Sequence, residues 1–428
     1  MVGNDNYIAR IADGLLADHL KAFGAVCVEG PMWCGKTSTA MRQAKSACMI
    51  ADPRDNFGTR RQVSLDINRA FVDAIAPHLI DEWQEFPALW DATKYYVDTH
   101  PGKGQIILTG SSTPPEKGIL HSGAGRIAGF RMRPMSLWES GNSEGKVSLE
   151  VVCKGENLCG VIPNRRPELS EIVELVLRGG WPGSLGLPLR EAMKTPVAYA
   201  NRLLDRNLPE LYDIPRDRHK TGLLLRSLAR NEATTVSIAS IRRDISAGDG
   251  IEIDERTLSV YLNSLERLFV TENIRPFSPS MRSGTRIKQA EKRRFCDPSI
   301  AAALLKATPA RLERDLNTLG FLFESLVLRD LLCYAEAFGA SLYHYQDYNN
   351  REIDAVIEMP DGEWTAIEIK LGVNQEESAA KHLLDIQRRI AEKGGHPPQS
   401  LAIIVGLSSA AYKRPDGVYV LPITALKP

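Results

Sequence analysis

The sequence predicts an α/β fold built from several domains, and three observations support this prediction. Apolar strands alternate with helical patterns through the first 140 residues, which is typical of a parallel sheet with helices on both faces. A glycine-bearing loop directly follows the first strand and opens a helix. Strands return after residue 340, beyond a long helical stretch. A chain of 428 residues also exceeds a single core, because domains hold roughly 100–200 residues.

The composition is that of an ordinary globular protein. Hydrophobic residues make up 43% and charged residues 25%, which excludes wholesale disorder. Fifty-three basic residues balance fifty-three acidic ones, so attraction to nucleic acid must come from local asymmetry. No apolar run approaches the roughly 18 residues of a membrane span, and the polar start lacks the pattern of a secretion signal. Seven scattered cysteines without a CxxC pair argue against a disulfide framework or a zinc site, and we expect a cytoplasmic protein without a membrane partner.

The first predicted domain, residues 1–145, contains the phosphate-binding signature. Strands are predicted at Ala25–Glu29, His78–Ile80 and Gln105–Thr109. Residues 30–37, GPMWCGKT, match GxxxxGK[ST] in full between the first strand and a helix. Such a loop points backbone N–H groups at a phosphate, and the helix N-terminus adds positive potential. We therefore expect an ATP site formed by nine residues: Gly30, Pro31, Met32, Trp33, Cys34, Gly35, Lys36, Thr37 and Ser38.

Specific roles follow for the end of this loop and for a second strand. Lys36 is expected to bridge the β- and γ-phosphates, and the Thr37 hydroxyl to bind Mg²⁺. Asp81 and Glu82 follow the strand His78–Ile80. Asp81 is expected to hold the metal through water, and Glu82 to polarise the attacking water.

Two further residues are candidates for sensing or stabilising the γ-phosphate. Thr109 ends the third strand and is favoured over Ser111 as the sensor, although an ordinary strand followed by a turn remains an alternative. Arg126 is expected on a following helical stretch, where a ring-forming ATPase presents an arginine to its neighbour's nucleotide. This role implies a homo-oligomer. The alternative is an ordinary surface arginine.

The middle of the chain is predicted to be helical. Residues 141–170 are rich in Gly, Asn and Pro and form a boundary or insertion, and a helical lid is predicted over 146–214. Residues 215–300 carry three helical patterns followed by a strand-like segment at Phe269–Ile274, which is typical of a winged helix.

The predicted winged-helix stretch is locally basic. Residues 215–297 hold 16 basic and 11 acidic residues. Such cations would contact phosphates and bind DNA in a salt-dependent way, whereas a solvated basic face on a packing domain is the alternative. The arginines and lysines in question are Arg242, Arg243, Arg256 and Arg267 on the helices, and Arg282, Arg286, Lys288, Lys292, Arg293 and Arg294 near the wing.

The last predicted domain, residues 310–428, carries a second candidate site. A helix at Leu319–Tyr334 precedes three strands, a second helix and a further strand. Glu368 and Lys370 share one face of their strand because side chains alternate along it, and Asp354 belongs to the neighbouring strand of a hairpin. Asp354, Glu368 and Glu324 would hold Mg²⁺ or Mn²⁺, and Lys370 would orient an attacking water.

This pattern resembles the PD-(D/E)xK nuclease signature, although Glu352-Ile353 stand where the family has its proline. A structural Glu–Lys pair and a domain that only binds nucleic acid are the alternatives to phosphodiester cleavage.

Seven segments, in chain order, resemble prokaryotic AAA+-type ATPases that end in an uncharacterised restriction-endonuclease-like domain: YIAR, GPMWCGKT, LIDEWQEFPALW, ILTGSS, GRI, RPMSLWE and RGGWP. The resemblance covers nearly the whole chain. It implies the roles given above for the ATPase residues, and it implies that Gly179–Pro182 touches the adenine side or couples the lid to the core. Trp33 and Cys34 replace residues that are polar or small in that family.

Two hypotheses of function follow. The first is an ATP-hydrolysing, DNA-directed ATPase whose nucleotide state controls the winged helix and the nuclease-like domain. The second is an ATP-dependent regulatory switch or interaction protein, with an inactive nuclease-like docking domain and a protein partner that the sequence leaves unknown. The sequence also permits, without arguing for it, a component of antiviral defence or of a toxin system.

Overall fold

The computed structural model describes residues 7–111, 122–156, 158, 160–164, 166–204, 218–249, 253–280, 290–347 and 351–428. The chain divides into two compact units. Unit 1 contains the described residues up to Pro134 together with Leu262–Val270, and unit 2 contains the other described residues. The predicted boundaries at residues 145, 214 and 300 stay predictions.

Unit 1 is an α/β unit. Its strands are β1 (Ala25–Glu29), β2 (Ser46–Met49), β3 (His78–Asp81), β4 (Ile106–Gly110) and β5 (Ile127–Arg131), and its helices include α1 (Ile11–Ala22), α2 (Lys36–Gln43), α3 (Arg54–Leu65) and α4 (Ala88–Thr99). The five strands form one parallel sheet in the order β2-β3-β4-β1-β5.

Helices cover both faces of this sheet, as the sequence predicts. Val26 and Val28 of β1 pack in a cluster with residues of α1 and α2. Ala25 and Cys27, the alternate residues, pack in a separate cluster with residues of α4. Successive side chains of a strand point to opposite faces, so a strand buried on both faces must be apolar throughout.

The strand order sets the position of the phosphate loop. Strand β4 lies between β1 and β3, so the carboxyl ends of these three strands are neighbours. Ligands of open parallel sheets bind at the carboxyl ends of the strands. The loop after β1 and the acidic residues that end β3 therefore lie at one edge of the sheet.

One local prediction in unit 1 is wrong. Arg126 does not lie on a helix, because it directly precedes strand β5 in a turn that closes when its N–H donates to the Gly123 carbonyl over 3.0 Å. Only Ile127 and Phe130 of strand β5 are buried, and the strand contains a glycine at position 129, so its apolar pattern is weak. The sequence analysis also missed β2, which is four residues long.

Unit 2 begins with a mainly helical region. Its elements are β6 (Val147–Ser148), α5 (Leu149–Cys153), α6 (Leu169–Arg178), α7 (Leu189–Ala192), α8 (Lys194–Arg202), α9 (Arg218–Arg230), α10 (Ile238–Asp249), α11 (Glu255–Arg267, whose last six residues belong to unit 1), α12 (Pro298–Leu304) and α13 (Pro309–Arg314). Helix α6 packs on α12 and α13. Short strand β6 pairs in parallel with β13 (Leu426–Lys427), so the predicted insertion is joined to the end of the chain.

Three isolated bridges organise the segments around α9 to α11. Thr234, after α9, pairs with Arg293, and Thr271 and Ile274 pair with Phe295 and Lys292. The chain order is therefore helix, short strand, two helices and an antiparallel hairpin. The second arm of this hairpin also pairs with the short strand.

The C-terminal part of unit 2 is a six-stranded mixed sheet. Its elements are α14 (Leu316–Ala337), β7 (Ser341–Gln346), β8 (Glu352–Glu358), β9 (Trp364–Lys370), α15 (Glu376–Glu392), β10 (Ser400–Val405), β11 (Tyr412–Lys413) and β12 (Tyr419–Pro422). The strand order is β11-β12-β10-β9-β8-β7. Strands β7, β8 and β9 form an antiparallel meander, and β9 pairs in parallel with β10 after the crossover through α15.

Candidate functional site

Two glycines give the phosphate loop its shape. Gly30 has a φ of +153°, and a Cβ at this position would lie 2.2 Å from the carbonyl oxygen of Met132. Gly35 has a φ of +101° and precedes the first turn of α2 in a left-handed conformation. Both positions therefore require glycine, and the loop delivers the N-terminus of α2 to the end of β1.

Lys36 is the first residue of α2 and is 7% exposed. Its ammonium group donates to the carbonyl oxygens of Gly30 and Pro31, over 2.9 and 2.8 Å. Peptide carbonyls are neutral acceptors, so phosphate oxygens would replace them with a stronger, charge-assisted interaction. The side chain is thus already at the loop and needs little movement to reach a phosphate.

Two predicted residues, Thr37 and Thr109, meet at a third, Asp81. The hydroxyl of Thr37 donates to Asp81 Oδ1 over 2.7 Å, and the hydroxyl of Thr109 donates to the same oxygen over 2.5 Å. Asp81 and Thr109 are direct neighbours on β3 and β4. A hydroxyl next to a carboxylate matches the oxygen ligands that Mg²⁺ prefers, so these residues fit a nucleotide-bound magnesium ion.

Glu82 is held in an unusual backbone conformation. Its φ and ψ are 59° and 46°, a left-handed geometry that is rare for residues other than glycine. Its carboxylate accepts a hydrogen bond from the Gln84 amide, and burial raises the pKa of Glu82 above its ordinary value. The other amide atom, Gln84 Oε1, is buried and has no hydrogen-bond partner among the described residues. Strained residues concentrate at functional sites, which agrees with a role for Glu82.

The remaining loop residues differ in exposure. Pro31 and Cys34 are buried, whereas Trp33 and Ser38 are exposed. The Cys34 thiol lies 3.9 Å from the Met132 carbonyl.

Arg10 is a supporting residue that the sequence analysis did not identify. Its guanidinium donates to the carbonyl oxygens of Cys34 and Arg133, both over 2.9 Å, and it is 8% exposed. It therefore links the phosphate loop to the segment after β5. The segment YIAR includes Arg10 in the family resemblance, but it does not reveal these contacts, because the Cys34 and Arg133 carbonyls are distant in the chain.

Arg126 is half exposed and makes an ion pair with Asp98 over 2.8 Å. This pair raises the pKa of Arg126 and lowers the pKa of Asp98, chiefly through the hydrogen bond between them. Its role toward a neighbouring subunit's nucleotide stays a prediction.

The glycine–tryptophan segment 179–182 is buried in unit 2. Trp181 is 0% exposed, and its indole N–H donates to the Ser299 hydroxyl over 2.9 Å. The Gly180 N–H donates to Asp297, which also accepts from Arg329 over 2.9 Å. A buried ring offers no surface to adenine, so this network favours coupling within unit 2 over nucleotide contact.

The second candidate site is a cluster of charged side chains in the C-terminal sheet. Lys370 Nζ lies 2.6 Å from Glu368 Oε2 and 3.1 Å from Asp354 Oδ2. Asp354 Oδ2 also accepts from the backbone N–H of Ile369 over 2.8 Å. The hairpin therefore brings together the three residues that the sequence predicts.

Lys292 is a further member of this cluster. Its side chain is 3% exposed, and Nζ lies 2.5 Å from Glu324 Oε1 and 3.1 Å from the Asp354 carbonyl oxygen. The prediction that Lys292 contacts DNA is wrong, because its ammonium group is buried. Arg294 of the same group is also buried and pairs with Glu272 over 3.5 Å. Arg282, Arg286 and Lys288 lie outside the described residues.

Burial and the two lysines set the pKa values in the cluster. Burial raises the pKa of Glu324 to about 7 and that of Glu368 to about 8. Burial alone would also raise the pKa of Asp354. The positive charges of Lys292 and Lys370 outweigh burial, so the pKa of Asp354 is lowered. Burial alone would lower the pKa of Lys370. The negative charges of Asp354 and Glu368 outweigh burial, so the pKa of Lys370 is raised.

The predicted metal set at this cluster is not assembled as a metal site. In the part of the chain that the structure describes, no group of three or more His, Cys, Asp or Glu side chains is placed to hold a metal ion. Glu324, Asp354 and Glu368 instead face ammonium groups of Lys292 and Lys370.

Comparison with known proteins agrees with the geometry of unit 1. Residues 22–140 match a family model described as "AAA domain". Residues 169–311 and 319–426 match two models described as domains of unknown function, DUF8612 and DUF4143. No curated protein matches the chain.

One similar solved structure is the Walker-type ATPase PABY2304 of Pyrococcus abyssi. It is 17% identical, with a TM-score of 0.43 over 71% of this chain and 97% of that one. The family match and the loop geometry together support an ATPase-type P-loop domain at the N-terminus. None of the described helices is long and apolar enough to cross a membrane.

Proposed function

We propose that this protein is an ATP-hydrolysing, DNA-directed AAA+-type ATPase whose nucleotide state controls a winged helix and a nuclease-like C-terminal domain. The observation that supports hydrolysis best is the meeting of Thr37, Asp81 and Thr109 beside the buried Lys36. These groups come from the N-terminus of one helix and from two strands, and they converge at the carboxyl edge of one sheet.

Each residue has a defined task in this proposal. Lys36 leaves the loop carbonyls and binds the β- and γ-phosphates. Thr37, and Asp81 through water, would hold Mg²⁺, which would neutralise phosphate charge when bound. Glu82 accepts the proton of the attacking water as the bond to the leaving ADP breaks. Thr109 contacts the γ-phosphate and reports its presence to β3 through Asp81.

The proposal of a winged helix is supported by the order of elements around α9 to α11. A short strand lies between the first two helices, and the hairpin that follows α11 pairs with it through Arg293. Arg243 on α10 and Arg256 on α11 are exposed and offer cations to a phosphate backbone. The basic residues within 290–294, in contrast, are largely withdrawn into unit 2.

The proposed nuclease-like fold is supported by the order helix, three antiparallel strands, helix and parallel strand from α14 to β10. The proximity of Lys370 to Asp354 on β8 and to Glu368 on β9 also supports this proposal. If the cluster acts on nucleic acid, Mg²⁺ or Mn²⁺ would be held by Asp354 and Glu368, and Lys370 would orient water.

Steady-state hydrolysis and DNA binding test this function together. We expect ATP turnover by the full chain, loss of turnover in Lys36→Ala, and salt-dependent DNA binding that an Arg243→Ala/Arg256→Ala variant weakens without affecting turnover in the absence of DNA. A Lys45→Ala variant, which changes an exposed lysine, serves as the control for Lys36→Ala. DNA binding that is unchanged in the double variant would remove the winged-helix contact from the proposal.

The position of Lys292 favours a second candidate function. In this alternative the protein is an ATP-dependent switch whose nuclease-like domain only docks a partner, because a lysine of the chain itself fills the charged cluster. Incubation of DNA with Mg²⁺ or Mn²⁺, with and without ATP, separates the two candidates. Cleavage that is lost in Lys370→Ala supports a nuclease, and intact DNA with continued ATP hydrolysis supports docking.

Assembly is a further part of the proposal. If Arg126 reaches a neighbour's nucleotide in a homo-oligomer, Arg126→Ala should lower hydrolysis while ATP affinity stays near normal. A monomeric enzyme with full turnover would contradict this role.

A further inference from the structure

A cavity of about 480 Å³ lies among helices α8, α9 and α12 of unit 2. Helix α12 packs against both α8 and α9, so segments that are distant in the sequence form the walls. The volume falls within the range of roughly 300–1,000 Å³ that is typical of small-molecule sites. The residues that line the cavity belong neither to the phosphate loop nor to the C-terminal cluster.

The described lining of this cavity contains basic residues but no acidic residue. Arg226 of α9 and Lys306, which follows α12, are both exposed. Arg226 Nε donates to the Gly222 carbonyl of its own helix over 3.2 Å, and no carboxylate among the described residues pairs with Arg226 or Lys306. Val197 and Leu304 add apolar surface, and Val197 is 45% exposed. The lining therefore suits a ligand with a negative group and an apolar body.

Lys306 has a backbone conformation that favours glycine. Its φ is +54°, and it lies directly after the end of α12. Its N–H donates to the Ala303 carbonyl over 3.0 Å, and the Ala307 N–H donates to the Ala302 carbonyl over 2.9 Å. Glycine is the usual residue at this position of a helix end, because the left-handed conformation strains other side chains. A lysine retained there at this cost agrees with a use for its ammonium group.

Gly222 keeps space open on the α9 side of the cavity. A Cβ at this position would meet only Leu204 Cδ2, at 3.7 Å, which is ordinary contact. Glycine within a helix is destabilising, so its presence in α9 is not explained by helix formation. Because Gly222 lines the cavity, a long side chain at this position would fill part of the space.

We propose that this cavity binds a small phosphate monoester with an apolar body. The phosphate group lies between Arg226 and Lys306, and the body packs on Val197 and Leu304. A phosphate monoester carries a charge of about −1.5 to −2 at pH 7, so it balances both cations, whereas a carboxylate balances one. This site is independent of the proposed ATPase and of the C-terminal cluster.

Equilibrium dialysis of the full chain with naphthyl phosphate tests the proposal, with inorganic phosphate and naphthol as competitors. We expect a naphthyl phosphate site that is retained in Lys36→Ala, which separates it from the phosphate loop. Neither competitor should match the affinity of naphthyl phosphate, because each supplies only one half of the ligand. Failure of ATP hydrolysis would leave this result separately interpretable.

Two variants change the charge and the space of the cavity independently. Lys306→Gly removes the ammonium group and relieves the left-handed strain, so the midpoint of urea unfolding should not fall while affinity falls at least about tenfold, as for loss of a charged hydrogen bond. Gly222→Met should weaken binding with both cations in place. Arg230→Gln is the matched control, because Arg230 is an exposed arginine of α9 that pairs with Asp244 instead of lining the cavity.

Three results would overturn the proposal. The first is the absence of naphthyl phosphate binding to the wild-type chain at millimolar concentration. The second is unchanged affinity in both Lys306→Gly and Arg226→Gln, a pair that does not depend on the folding of either variant alone. The third is an equal loss of affinity in Arg230→Gln, or equal affinity for inorganic phosphate, since either would indicate a general surface charge effect.

Discussion

The phosphate loop and the C-terminal cluster both place a buried lysine at the edge of a sheet, but they satisfy it differently. Lys36 donates to two neutral backbone carbonyls of its own loop. Lys292 faces the carboxylate of Glu324, and Lys370 faces those of Asp354 and Glu368. Neutral acceptors are readily exchanged for a charged ligand, whereas a carboxylate is already the strongest partner that the lysine can find. The lysine of unit 1 is therefore placed to exchange its partners for a charged ligand, whereas the lysines of unit 2 are already paired with carboxylates.

The largest expected effect is on ATP hydrolysis. Lys36→Ala should lower kcat/KM by a factor of about 100 or more, because removal of a preorganised donor to developing charge costs about that much. Lys292→Met should change it by less than about twofold. Release of phosphate measures both. Turnover by Lys36→Ala at the wild-type rate would place hydrolysis elsewhere, and Lys45→Ala controls for the loss of a surface charge.

The free energy of unfolding should show the opposite order, with a larger loss for a change at Lys292 than for a change at Lys36. Lys292→Met leaves the Glu324 carboxylate without its cation, and loss of one partner of a buried pair costs about 3–5 kcal/mol. We expect the lower end of this range, because the pKa of Glu324 is already about 7 and the group can take up a proton. Lys36→Met removes hydrogen bonds to two carbonyls and should cost about 1 kcal/mol. Urea unfolding of the two variants compares these values, and equal losses would contradict the distinction.

A smaller effect on kcat is expected for Gln84, which holds the carboxylate of Glu82 in position. Gln84→Leu removes the amide that holds the Glu82 carboxylate. We expect kcat to fall by about tenfold with KM nearly unchanged, since orientation of a catalytic group contributes mainly to the chemical step. Gln62→Leu, on the exposed surface of α3, is the matched control. A rise in KM with normal kcat would instead indicate that Gln84 acts in binding.

A last effect concerns Glu232, a buried carboxylate of unit 2 that accepts hydrogen bonds from the Ser325 hydroxyl and the Phe295 N–H. Burial raises the pKa of Glu232 to about 8, well above its ordinary value of 4.5. The folded state therefore retains a proton that the unfolded chain has released, and the associated stability is lost as pH rises from about 4.5 to 8. Glu232→Gln should flatten this dependence by up to about 3 kcal/mol between pH 5 and pH 8. Urea unfolding at pH 5 and pH 8 measures it, and identical slopes in both proteins would contradict the assignment.

The local signals in the sequence predict the phosphate loop and its strand context. Gly30, Gly35 and Lys36 are fixed by the geometry of a loop eight residues long, and Asp81 follows an apolar strand that is buried along its whole length. The C-terminal hairpin is predicted for the same reason, because strand alternation places Glu368 and Lys370 on one face. Patterns that act over a few residues are visible in a single sequence.

Interactions between distant residues are not visible in the same way. Lys292 lies 32 residues from Glu324 and 62 from Asp354, and its neighbours Arg293 and Arg294 give it the local pattern of a basic surface. Arg10 contacts backbone atoms 24 and 123 residues away. Strand β5 has only two buried residues, Ile127 and Phe130, and this weak pattern explains why the sequence wrongly favours a helix at Arg126. In each case tertiary contacts, rather than local preference, determine the environment of the residue.

Glu82→Gln tests the central claim most directly, because it changes one carboxylate oxygen of the loop-facing acid and leaves the phosphate ligands in place. Binding of a fluorescent ATP analogue and release of phosphate should be measured on the same preparation. We predict wild-type affinity, within about threefold, together with a loss of turnover of about 100-fold, in line with the contribution of a general base. Turnover that is unchanged in Glu82→Gln would contradict ATP hydrolysis at this site.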